Sequence, residues 1–99
     1  MAALDGILAM SLVVVQARPK SRPDRVDKAL WKTGGRCLAP SRGDLDNFAK
    51  AIKDALTDSG LWTDDHLVAA YVAPFGKWYA AAGEEPHLEV VVYRVEASP

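Results

Sequence analysis

The chain has little of several things, and each shortage excludes something. It has one cysteine in 99 residues. Cys37 cannot form an internal disulfide, which excludes a stapled secreted scaffold and suits a reducing cytoplasm. It has no long hydrophobic run. The most apolar stretch, GILAMSLVVV at 6–15, is about half of what a membrane span needs. Asp5 precedes that stretch with no lysine or arginine, the wrong lead for a secretion signal, so it reads as a buried strand. There is no internal repeat and no low-complexity tract. Net charge is only −1, so no overall field of one sign marks a partner.

What is present is globular. Apolar residues make up 49% of the chain and charged residues 25%, which excludes a disordered tail. The length allows one domain, 1–99, with one small core. A core that small has little surplus, so an oligomer is expected. The near-neutral total hides an uneven distribution. Residues 18–42 hold Arg18, Lys20, Arg22, Arg25, Lys28, Lys32, Arg36 and Arg42 against only Asp24 and Asp27. A basic segment therefore stands beside an acidic body. It reads either as a solvated loop or as an arm that contacts phosphates and releases their counterions.

Hydrophobic periodicity orders the elements. LAMSLVVVQA at 8–17 is nearly continuous in apolar character and rich in β-branched residues, the pattern of a strand buried on both faces. Residues 18–43, with three prolines and three glycines, read as a long loop in which DKALWK forms at most one helical turn. Leu45, Phe48, Ala49, Ile52, Ala55 and Leu56 recur at the spacing of one helix face, and Gly60 ends that helix. LVAAYVA at 67–73 and HLEVVVYRV at 87–95 read as strands, joined by a hairpin connection, PFGKWYAAAGEEP. The expected fold is α+β: about three strands with one amphipathic helix packed on them, in the order β, long loop, α, β, β.

The helix carries unusual charge at its mouth, in SRGDLDNFAK. Aspartate is a favoured N-cap and suits the helix dipole, so one of Asp44 and Asp46 has a purely structural explanation. Residues two apart do not share a helix face but do share one in extended chain. Both acids can aim at one point only if Asp44 precedes the helix and Asp46 begins it. Lys50 lies one turn beyond Asp46, either as an ordinary i,i+4 ion pair or as part of a site. Asp64 and Asp65, in LWTDDHLV, form a second acidic pair at a strand entrance, where acids are usually turn chemistry. If the chain folds back, the two pairs would suit Mg2+ or Mn2+, which prefer hard oxygen ligands.

The ordered set GDLDNFAKAIKDALTDSGLWTDD resembles the signature of the RusA family of Holliday junction resolvases. D-x-D-N-x-x-K is followed by a helix, DAL, a glycine turn, an aromatic and D-D. RPKSRP and GKWYAAAGEEP…LEVVVY resemble neighbouring family segments, so the likeness runs over roughly residues 7 to 95. The resemblance implies a Mg2+-dependent endonuclease, with Mn2+ as a substitute, that resolves four-way DNA junctions in recombination and repair. It implies a bacterial or phage-encoded cytoplasmic homodimer on branched DNA, with no membrane.

Carried across by position, the resemblance makes Asp44, Asp46 and Asp65 metal-binding and catalytic. It makes Lys50 the catalytic lysine, Asp64 a further metal ligand and Asn47 a supporting residue. DNA contacts are expected from Lys20, Arg22, Arg25, Lys28, Lys32, Arg36 and Arg42. Phosphodiester hydrolysis calls for these types: oxygen ligands for a cation, and positive charge against the charge developing on phosphorus. One departure stands out. Family members generally carry a strand and a helix ahead of the segment matched by residues 7–17. The competing expectation is therefore a non-catalytic DNA-binding or structural remnant, truncated at the N-terminus.

Overall fold

The computed structural model describes residues 3–40 and 44–95. Arg42, expected to contact DNA, lies outside the described residues, as does Gly43.

Strand β1 (Ile7–Gln16) is the spine of the sheet. It pairs parallel with β3 (Val68–Tyr79) on one side and antiparallel with β4 (His87–Val95) on the other. The two-residue strand β2 (Cys37–Leu38) pairs antiparallel with the end of β3, giving the order β2-β3-β1-β4. A strand paired on both edges and covered on both faces must be apolar throughout, and β1 is buried from Leu8 to Val15. Ser11 is the one polar residue among its buried positions.

Helix α2 (Leu45–Asp58) covers one face. Its Leu45, Phe48, Ala49, Ile52 and Leu56 pack with Leu8, Met10, Leu12 and Val14 of β1 and with Trp62. Ala55 belongs to the same periodic stripe but is exposed. The helix ends at Ser59, and Gly60 follows with φ of 84°, a conformation that glycine adopts without strain. Trp62 is then pinned by its indole N–H to the Thr57 hydroxyl at 2.7 Å. On the other face, Val13, Val15 and Ala80 cluster with Trp78.

The α+β class and the single packed helix stand as expected, but three local readings change. The last two strands are not a hairpin, because β1 lies between β3 and β4. The stretch PFGKWY is not a connection. β3 continues through it to Tyr79, with its pairing to β1 shifted between Met10 and Leu12, just where Pro74 removes an N–H from the ladder. The long loop carries the helical turn expected of DKALWK, as α1 (Lys28–Lys32) capped by Asp27, and also β2, a fourth strand that was not expected. No helix among the described residues is long and apolar enough to cross a membrane.

Candidate active site and its basic flank

The mouth of α2 is built by its cap. Asp44 has extended backbone, with φ of −78° and ψ of 126°, and its Oδ1 accepts the Asp46 N–H at 2.9 Å. Its carbonyl accepts from Asn47 and Phe48, closing the first turn. Asp44 thus precedes the helix and Asp46 lies in its first turn, the one arrangement that lets acids two apart aim outward together. Asp44, Asp46, Asn47 and Lys50 are all exposed. Lys50 makes no ion pair with Asp46, so the ordinary i,i+4 bridge is absent there. An open recess of about 260 Å³, lined by Asp44, Asn47, Phe48 and Ala51, adjoins the mouth.

The second acidic pair divides in use. Asp64 caps a 3-10 turn, Asp65–Leu67. Its Oδ1 accepts the His66 N–H at 3.0 Å and faces His66 Nδ1 at 3.0 Å. The backbone hydrogen bond from His66, with its imidazole second, holds this carboxyl below the usual aspartate range. Asp65 is half-buried within the turn, which abuts α2. The acids are nevertheless not drawn together: among the described residues no group of three or more His, Cys, Asp and Glu could hold a metal ion.

The basic flank also divides. Arg18 is turned inward. Its guanidinium donates to the carbonyls of Trp31 at 2.8 Å, Gly35 at 3.0 Å and Ala80 at 3.3 Å, and it lies 3.7 Å from the centroid of the Trp31 ring. Arg22 donates to the carbonyls of Pro23, Asp24 and Val26, closing the turn ahead of α1. Arg36 makes a bidentate pair with Glu84, with contacts of 2.9 and 2.6 Å, and reaches Glu89 at 2.6 Å. Lys20, Arg25, Lys28 and Lys32 are exposed and have no ion pair or side-chain hydrogen bond among the described residues.

Arg36 sits in a network that periodicity does not reveal. His87 Nδ1 donates to the Glu85 carbonyl at 2.7 Å, and its Nε2 meets Glu89 at 2.7 Å. The Arg36 guanidinium, helped by the Ala81 N–H, holds Glu84 down at about 2. Arg36 and then His87 hold Glu89 below its ordinary value. The Glu85 carbonyl and then Glu89 raise His87. Sequence reading also missed a stack of Tyr71 on Phe75, with centroids 4.4 Å apart, and Lys53 Nζ 5.1 Å from the Tyr71 ring. The i,i+4 spacing of the two aromatics across Pro74 was the available signal.

In class this is a small mixed-sheet α+β protein whose one long helix opens an acidic mouth to solvent. The family model described as "Endodeoxyribonuclease RusA" matches residues 1–93, and the chain belongs to the RusA family. A relative from Escherichia coli, "Crossover junction endodeoxyribonuclease RusA", is 60% identical over 37 residues, covering 35% of this chain and 31% of that protein. The match thus spans about a third of the relative's length. No solved structure matches the chain.

Proposed function

We propose that the protein is a divalent-metal-dependent endodeoxyribonuclease that resolves four-way DNA junctions. The observation that carries this reading is the mouth of α2, where Asp44, Asp46 and Lys50 stand exposed with no ion pair among the described residues, in a chain of the RusA family. The donor chemistry fits a hard cation: Asp44, Asp46 and Asp65 offer carboxylate oxygens, and Mg2+ or Mn2+ takes such ligands. Asp64 is the weaker ligand of the set, since one of its oxygens already serves His66.

Bound there, the cation supplies Lewis acidity to the phosphodiester and lowers the pKa of a water. The chain supplies the rest. The Lys50 ammonium, one turn into the helix, offsets negative charge that grows on the scissile phosphate. The Asn47 amide stands beside the acids to orient a phosphate oxygen. Lys20, Arg25, Lys28 and Lys32 hold the DNA arm by its phosphates.

The substrate presents two symmetry-related strands, so one site in each half of a two-fold homodimer matches it. The outer edge of β4 and the exposed Ile7, Val91, Tyr93 and Val95 offer surface for a second copy. The proposed setting is DNA recombination and repair in the cytoplasm.

A second reading, a DNA-binding protein of the same fold without catalysis, draws on the acids not being gathered into a metal-holding group. One experiment separates the two. Purified protein is incubated with a synthetic four-way junction, with and without Mg2+ or Mn2+. Cation-dependent cleavage supports the nuclease. Binding with no cleavage under either ion leaves the second reading.

A further inference from the structure

The seven described cations between residues 18 and 36 do two different jobs, and Arg18 separates them. It lies two residues past β1, yet its fork binds carbonyls at the C-terminal end of α1, in the loop before β2 and just beyond β3. The last of these is 62 positions away in sequence. Its flat face also covers the Trp31 ring. Only a planar guanidinium with five donors can bind several carbonyls and stack at once; an ammonium cannot.

Helix α1 needs such help. It has five residues and none is buried, and a helix this short does not persist alone in water. Its contacts to the body run through half-buried Trp31, beside the small cluster of Val26, Cys37, Ala39 and Tyr79, and through Arg18. On α1, Lys28 and Lys32 are one turn apart, so they project on one side. Lys20 and Arg25 flank them, exposed and unpaired among the described residues.

We infer that Arg18 is a positioning residue, the hub that fixes a phosphate-binding surface formed by Lys20, Arg25, Lys28 and Lys32. Arg18 itself touches no DNA, and Arg22 and Arg36 are likewise fasteners within the chain. The inference rests on the proposed DNA-binding function. With the hub removed, the four cations remain but no longer share a fixed geometry, so each phosphate contact must order the segment first. Affinity falls, while the number of counterions released in the complex stays the same.

The test uses Arg18→Ala, Arg18→Lys, and a quadruple glutamine variant at Lys20, Arg25, Lys28 and Lys32. Junction Kd is measured across a range of salt concentrations, and amide hydrogen exchange of residues 27–35 is measured without DNA. Both Arg18 variants should lose protection in α1 and bind on the order of tenfold more weakly, the ordering cost of one or two residues. Their salt slope should stay at the wild-type value. Arg18→Lys is the decisive variant, because it keeps the charge and removes the fork. Wild-type affinity and protection in Arg18→Lys would overturn the inference, as would weaker binding with unchanged protection and a reduced slope, the signature of a direct phosphate ligand. Should Arg18→Ala not fold, Trp31→Ala removes the stacking partner, leaves every charge in place and is read by the same two measurements. The quadruple variant tests the underlying reading separately. It should keep α1 protected and lose slope by about 0.9 per contact. A quadruple variant that binds like wild type shows that the segment does not bind DNA, whatever the Arg18 variants do.

Discussion

The protein holds two groups of acids, and they are treated in opposite ways. Glu84 and Glu89, at the end of the sheet, are saturated by Arg36, His87 and a backbone N–H. Asp44, Asp46 and Asp65 form no ion pair among the described residues. The first group joins the β3–β4 connection and β4 to the basic segment. The second lies at or against α2, where the Asp44 carboxylate serves as the helix cap. The cations divide the same way, with Arg18, Arg22 and Arg36 engaged and Lys20, Arg25, Lys28, Lys32 and Lys50 without a partner among the described residues.

The largest test of this contrast is Asp46→Asn. It should lower junction cleavage on the order of 10³-fold or more while binding holds or tightens, since a negative charge facing phosphate is gone. Loss of binding in parallel with cleavage would place Asp46 with the structural acids. Lys50→Ala comes next. Its cleavage rate at saturating DNA should fall on the order of 10²-fold with Kd little changed; an unchanged rate would make it a solvated lysine. Asp44→Ala sharpens the comparison from inside the site, because Asp44 is both cap and proposed ligand. Its denaturation midpoint should report a loss of about 1 kcal/mol, whereas Asp46→Ala, which caps nothing, should cost far less stability for a similar loss of cleavage.

The smallest effect concerns pH and the saturated acids. His87 is raised in the folded protein, so its contribution is complete below the ordinary imidazole range near 6.5 and disappears as pH climbs through the raised value. Glu84 is lowered to about 2, so its contribution is complete above the ordinary range near 4.5 and fades toward that value in acid. The network should therefore stabilise most between the two titrations. Thermal melts of wild type and His87→Gln should diverge in weakly acidic buffer and converge above neutral pH. A constant gap across that range would mean that His87 packs without titrating.

Much of this was legible in the sequence, for local reasons. Helix α2 and strand β4 lie where periodicity sets them, because amphipathic spacing and a glycine stop act within a few residues. The order of strands was not legible. Nothing in HLEVVVYRV says that its partner is β1 and not β3, and a proline inside a strand argues against the strand that β3 in fact is. Strand β2, two residues long, has no period to detect. The division among the arginines was hidden for the same physical reason: Arg18 meets a carbonyl 62 positions away, and Arg36 meets Glu84 48 positions away. That Asp44 precedes the helix and Asp46 begins it was legible, because their spacing itself carries geometry.

The central place of β1 also governs how the protein is made. Its partners in β3 lie roughly sixty residues downstream and those in β4 more than seventy. At about 5–20 residues per second, a strand apolar on both faces waits roughly 4 to 16 seconds for its second flank to be synthesised. Pairing at such sequence distance is slow even once the whole chain is available. Until β4 has been made, β1 keeps an unpaired edge, so the growing chain carries an aggregation-prone apolar strand that the finished sheet does not.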